Sequence, residues 1–265
     1  MIEYKFKKAI NEGRILCGMS ISVSVPSFLE IIGYSGFDFV YIDTEHSTIS
    51  LESLSNIIVA STLSGMSTLV RVPDNDPTSV RKALEVGAEG VIIPHVNTRE
   101  DAERAVSNAR FPPEGIRGFG GLVRSNNFNM PPLSMHEYTK CSNEGVSVVV
   151  QIEDQQAIQN IGEILDVKGI DAIFLGPSDL SLSLGIPGQF QNPKFILAID
   201  KVLAAAKKKS IPAMCTVSYV AHPITVENIK TLVENGLSLL LFGSVEGAIR
   251  QACLDTMENL VKKIR

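Results

Sequence analysis

Long apolar runs are missing from this chain. Its hydrophobic stretches are strand-sized, far short of the about 20 consecutive apolar residues that a membrane-spanning helix needs. The opening MIEYKFKKAINEG is charged and holds no apolar region of the secretory kind. Positive charge is not in excess: 24 Lys and Arg stand against 29 Asp and Glu, a net charge of -5. That balance offers no polybasic surface, so neither nucleic acid nor a membrane is expected as a partner. Cysteine is scarce. Cys17, Cys141, Cys215 and Cys253 show no CxxC spacing and read as reduced, largely buried thiols of a cytoplasmic protein. No GxGxxG follows the first strand, which disfavours a doubly wound dinucleotide-binding sheet.

What is present is regular alternation. Hydrophobic residues make up 45% of the 265 residues, enough for one large core. Strands are predicted over 15–23, 39–42, 68–72, 91–93, 146–152, 172–175, 211–216 and 237–242. Amphipathic helices fall between them. Ser50 caps one that Gly65 closes, Asp76-Pro77 opens another running to Gly87, and Thr98 to Asp101 resembles a capping box. Ala157, Ile158, Ile161, Ile164 and Leu165 recur at helical spacing, and further helices follow over 195–209, 225–236 and 244–264. Eight such units, evenly spaced over residues 1–265, predict one α/β domain folded as a (β/α)8 barrel. The stretch 111–132 breaks the rhythm with Pro112, Pro113, Gly115, Gly118, Gly120, Gly121, Pro131 and Pro132. Long irregular loops are often functional, and Arg117 and Arg124 favour that reading here.

A barrel keeps its chemistry at the carboxyl ends of its strands. The strand over 146–152 stops at Glu153, and that over 172–175 runs into Gly176, Pro177, Ser178 and Asp179. As parallel neighbours these strands deliver Glu153 and Asp179 to one rim, where two carboxylates suit a divalent cation that prefers oxygen ligands. Each acid alone also fits the first turn of a helix, whose dipole favours negative charge. Asp43, Glu45 and His46 follow the second strand, Arg71 ends the third and Gln151 lies on the fifth. Taken singly, His46 reads as a surface histidine, Arg71 as a structural arginine and Gln151 as a satisfier of loop backbone. Their shared position past strand ends argues for a site. There an ion polarises a ketone, an arginine stabilises the enolate and a histidine moves the proton. The Gly176-Pro177-Ser178 segment adds backbone N–H groups for a carboxylate or phosphate. A Schiff-base aldolase would need a lysine at a strand end, and none of the lysines lies there.

At these residues the chain resembles the HpcH/HpaI aldolase family of class II, pyruvate-type aldolases. The matching segments are GFDFVYIDTEHS, LVRVPDNDP, GAEGVIIPHVNTREDAERAV, PPEGIRGFG, VVVQIED and IFLGPSDLSLSLG. The resemblance implies that Glu153 and Asp179 bind Mg2+, Mn2+ or a similar ion such as Co2+. It makes Arg71 the arginine that meets the pyruvyl oxygen, His46 the base and Asp43 a supporting acid. Gln151 and Gly176, Pro177 and Ser178 would line the pyruvate pocket. It further implies a homo-oligomer, a hexamer built as a trimer of dimers, with the final helix exchanged between subunits and a neighbour completing the site. The chain departs from the family pattern at Thr44, where many members carry Gly. It departs also at Glu85, where aldolases often carry an Asp that pairs with the histidine across the interface, and in GGLVRSNNFN after the PPEGIRG segment.

Three functions compete on these residues. The first is reversible cleavage of a 4-hydroxy-2-oxo acid to pyruvate and an aldehyde. The second is a related lyase or decarboxylase of the oxaloacetate or acyl-CoA type, for which Arg117 and Arg124 are thin support. The third is a 2-oxo-acid binder that keeps the metal site without catalysis, since a fold does not confer an activity.

Overall fold

The computed structural model describes residues 3–264. Its strands are β1 (Leu16–Ile21), β2 (Phe39–Asp43), β3 (Ser67–Arg71), β4 (Gly90–Ile93), β5 (Ser147–Ile152), β6 (Ala172–Leu175), β7 (Ala213–Thr216) and β8 (Leu237–Ser244). Each pairs in parallel with the next, and β8 returns to β1, closing an eight-stranded barrel. Alternation along each strand separates two cores. Phe39, Tyr41, Leu69, Ile92, Val149, Ala172, Phe174, Met214, Leu239 and Leu241 form one buried cluster, the filling of the barrel. Their strand neighbours Val40, Ile42, Val70, Val91, Val148, Val150, Ile173 and Leu175 join a second cluster against the helices.

The chain-order helices begin with α1 (Lys5–Asn11), which the sequence pattern did not reveal. Phe6, Ala9 and Ile10 of α1 join the barrel filling, with the Phe6 ring edge-on to Phe39 at 5.6 Å. A charged segment thus plugs the amino end of the barrel with one apolar face. The helices α2 (Pro26–Tyr34), α3 (Leu51–Leu63), α4 (Pro77–Glu85) and α5 (Arg99–Ala109) follow. Ser50 and Asp76 cap α3 and α4, and Thr98 with Asp101 forms the capping box of α5. A second capping box, Ser134 with Glu137, opens α6 (Met135–Gly145), another helix absent from the sequence reading.

Where one helix was expected, α7 (Gln155–Gln159) and α8 (Ile161–Ile164) meet at Asn160. Its side-chain amide donates to the Asn97 carbonyl at 2.9 Å, which ties the break to the β4–α5 loop. The short α9 (Pro177–Ser183) follows β6, then α10 (Pro193–Lys208), α11 (Val217–Val220), α12 (Val226–Glu234) and α13 (Val245–Thr256). Helical turns continue from α13 to Ile264, and only Val245 of that run is buried.

The excursion over 111–132 lies at the amino end of the barrel, opposite the acid-bearing rim. It leaves the end of α5, where Ile116 N donates to Ser107 O and Arg117 N to Arg110 O. Arg117 is buried over the Phe111 ring at 4.5 Å and donates to Ser142 Oγ, so it holds the fold together. Arg124 packs on Gly87, in the turn before β4. Within this chain neither arginine reaches the carboxyl rim.

Candidate active site

Because inward residues alternate, the barrel filling continues upward into polar groups of the same parity. Above Phe39 and Tyr41 comes Asp43, above Leu69 comes Arg71, and above Val149 come Gln151 and Glu153. Asp43 and Arg71 are register partners at the top of β2 and β3. Arg71 Nε meets Asp43 Oδ1 at 3.0 Å and Nη2 meets Oδ2 at 2.7 Å, a bidentate fork. The third arm, Nη1, lies 3.0 Å from Glu45 Oε2, and the guanidinium sits 5.5 Å over the Tyr41 ring. Burial disfavours the charge on Arg71, but the Asp43 fork outweighs it and raises its pKa above the ordinary arginine value. Burial likewise opposes charge on Asp43. The Arg71 fork, with the N–H groups of His46 and Glu45, reverses that and holds the carboxyl below its usual range.

Thr44 pins this turn: its N–H and its hydroxyl both donate to the Arg71 carbonyl. Glu45 is half-buried, with its carboxylate side chain 8% exposed, and this desolvation raises its carboxyl pKa against the attraction of Arg71. Its Oε1 lies 3.1 Å from His95 Nε2 and 3.9 Å from His46 Nε2. The His46 side chain is 66% exposed, on the solvent side of this cluster.

Glu153 is 4% exposed. Its Oε1 accepts from His95 N at 2.9 Å and lies 3.1 Å from His95 Nδ1, while Gln151 Nε2 donates to Oε2. Gly176 makes this packing possible. A Cβ there would stand 2.7 Å from Glu153 Cβ and 2.9 Å from its Oε2. Pro177 starts α9, Ser178 is exposed, and Asp179 is half-buried in the first turn. The expected backbone cradle is smaller than the sequence suggests. Gly176 N donates to the Ile152 carbonyl and Pro177 has no N–H, which leaves Ser178.

One residue, His95, is added, and Glu45 takes a more central place. Glu45 links Arg71 to both histidines, a role its place after β2 did not reveal. His95, two residues beyond β4, bridges Glu45 and Glu153 from a left-handed backbone (φ 58°). The rule that found Asp43 and Glu153, polar residues just past a strand, would have found it too. Glu85 ends α4 at the opposite face, beside Gly120, and does not meet His46 within this chain.

A closed barrel whose carboxyl rim gathers carboxylates, a clamped arginine and two histidines is the arrangement in which (β/α)8 enzymes keep their chemistry. The HpcH/HpaI aldolase/citrate lyase family model matches residues 17–241, and the chain belongs to that family. A 5-keto-4-deoxy-D-glucarate aldolase of Klebsiella pneumoniae is 34% identical over 248 residues, 94% of this chain and 93% of that protein. An HpcH/HpaI family protein of Burkholderia cenocepacia J2315 superposes with a TM-score of 0.88 at 27% identity, covering 97% of this chain and 99% of the other. The HpcH/HpaI aldolase of Desulfitobacterium hafniense DCB-2 superposes with a TM-score of 0.87 at 29% identity, covering 96% and 95%. The chain is thus an enzyme of the class II aldolase type, an aldehyde-lyase.

The family depends in general on a divalent cation. Among the described residues no cluster of three or more His, Cys, Asp or Glu forms a metal cage. The candidate donors named by the sequence, the Glu153 and Asp179 carboxylates, make a leaner set; Gln151, hydrogen-bonded to Glu153, has its Oε1 buried without a hydrogen-bond partner. Such a set fits a hard cation that keeps water or substrate oxygens for its remaining positions.

Proposed function

We propose that the chain reversibly cleaves a 4-hydroxy-2-oxo acid to pyruvate and an aldehyde, the substrate being a 2-oxo-3-deoxy sugar diacid of the 5-keto-4-deoxy-D-glucarate type. The named activity of the curated relatives supports the substrate class. The observation that carries the reading is the Arg71–Asp43 fork beside buried Glu153. Glu153 and Asp179 hold the ion, Mg2+ or Mn2+ with Co2+ as a further occupant. When bound, the ion supplies Lewis acidity to the 2-oxo group and its carboxylate.

Arg71 has five N–H donors, of which Asp43 takes two and Glu45 faces a third. The remaining N–H groups meet the oxygen on which enolate charge develops. Gln151, Gly176, Pro177 and Ser178 line the pyruvyl end. His46 takes the proton from the C4 hydroxyl, the C3–C4 bond breaks and the aldehyde leaves. The bonding pair remains on the pyruvate enolate until a proton returns to its terminal carbon. Asp43 holds the turn that carries His46 through its backbone N–H.

Glu85 serves the site of a neighbouring copy, since within one chain it lies at the far end of the barrel. The exposed apolar residues Ile249, Leu254, Met257, Leu260 and Ile264 after β8 support a homo-oligomer; its form as a hexamer, a trimer of dimers, rests on the family resemblance. The free thiols of Cys17, Cys141, Cys215 and Cys253 support a cytoplasmic place of action. Among the described residues no helix is long and apolar enough to cross a membrane.

Chelated protein reloaded with Mn2+ is expected to release pyruvate from a racemic 4-hydroxy-2-oxo diacid, read with a coupled lactate dehydrogenase. Glu153→Ala is expected to lose that release. Full activity in Glu153→Ala would overturn the reading.

A further inference from the structure

His95 has no part in the reaction described so far, yet its ring contacts both Glu45 and Glu153. Its Nε2 lies 3.1 Å from Glu45 Oε1 and its Nδ1 3.1 Å from Glu153 Oε1, while its backbone N–H donates to that same oxygen at 2.9 Å. Glu45 in turn lies 3.0 Å from Arg71 Nη1. One imidazole therefore connects the acid assigned to the ion with the arginine assigned to the oxo acid.

The backbone at His95 underlines the point. A φ of 58° is uncommon for a residue with a side chain and carries a conformational cost. Glycine would avoid that cost and keep the N–H bond to Glu153, but it would lose the ring. Pro94 and Val96 flank His95, and Val96 is buried, so the β4 loop is anchored on one side of the strained residue. Its ring is 60% exposed, which rules out a packing role and leaves the two carboxylates as its partners.

We infer that His95 is a positioning residue: through its two ring nitrogens it orients Glu153 toward the divalent ion and Glu45 toward Arg71, coupling the metal half of the site to the oxo-acid half. The inference rests on the reading of Glu153 as an ion ligand. The partners of a ligand's other oxygen are a recognised source of affinity, and losing one typically weakens metal binding by about 10–100-fold.

The two nitrogens can be separated by substitution. An asparagine amide reaches the place of Nδ1 and a glutamine amide that of Nε2. Asparagine also tolerates the left-handed backbone. In His95→Gly the backbone donor stays and both ring contacts go. Mn2+ binding, followed by electron paramagnetic resonance without substrate, is expected to weaken by about 10-fold or more in His95→Gly. His95→Asn is expected to recover most of that affinity. His95→Gln is expected to leave it weak but to restore the KM for pyruvate in methyl-proton exchange, because the Glu45–Arg71 arm is rebuilt. All three variants should show the wild-type circular dichroism spectrum.

Wild-type Mn2+ affinity in His95→Gly, with binding abolished in Glu153→Ala, would overturn the bridge. Equal recovery by Asn and Gln would also overturn it, since the two arms would not be distinct. Binding unchanged in Glu153→Ala would instead overturn the assignment of Glu153, and this inference with it.

Discussion

Gly176 leaves no room for a side chain beside Glu153, and filling that space is a sharp test of the geometry. Gly176→Ala would place a Cβ 2.7 Å from Glu153 Cβ, 2.9 Å from Glu153 Oε2 and 3.0 Å from Gln151 Nε2. Relaxed carbon contacts lie at about 3.5–4.0 Å, so Glu153 or the start of α9 must shift by about 1 Å. Overpacking of this kind costs about 1–3 kcal/mol of stability. Its effect on catalysis should be larger in relative terms, because a displacement of about 1 Å in an active site costs on the order of 100-fold in rate. The variant is therefore expected to fold, to melt somewhat earlier, and to lose about 100-fold in kcat/KM together with Mn2+ affinity. Thermal melts, coupled pyruvate release and Mn2+ titration read the three effects separately. Gly162→Ala is the control: a Cβ there meets nothing within 4 Å, and the substitution should leave activity intact. Wild-type rate and metal affinity in Gly176→Ala would refute the placement of Glu153 beside the β6–α9 turn.

Two further outcomes follow from the same structure. Arg71→Lys replaces a bidentate fork with a point charge, so Asp43 loses one of its two Arg71 hydrogen bonds. A fall of about 100–1,000-fold in kcat/KM is expected, and steady-state kinetics within 10-fold of wild type would count against the role. Glu89 is buried at the amino end, where burial raises its pKa to about 7 despite hydrogen bonds from Phe6 N and Ser67 Oγ. A raised carboxyl favours the folded state when protonated. Its contribution is full below the unfolded value near 4.5 and fades as pH rises through 7, by at most about 3 kcal/mol. Urea melts of Glu89→Gln should show a flatter loss of stability between pH 5 and 8 than the parent, and identical slopes would contradict the buried-acid assignment.

The barrel was legible because its signal is redundant. Each strand is a short apolar run, and each of the eight appears within two residues of its expected ends. The rim was legible through parity, since Gln151 and Glu153 stand two residues apart and continue the inward side of β5. Glu85 and the 111–132 excursion show what composition alone does not convey. Both sit where a helix returns toward its next strand, so barrel topology places them at the amino face, whatever their charge. Arg117 resembles a binding residue in sequence, yet its guanidinium is buried over Phe111 as a structural cation. His95 was obscured by Pro94 and by a run that matches the family as a block. Helix α1 was obscured by its charge, since only Phe6, Ala9 and Ile10 mark its buried face.

This rim is proposed to form an enolate of pyruvate. Its most direct test needs no aldehyde: chelated and Mn2+- or Mg2+-reconstituted protein is incubated with pyruvate in D2O while the methyl signal is followed by NMR. Metal-dependent loss of that signal is expected, abolished in Asp179→Ala. A methyl signal that persists with every metal would contradict it.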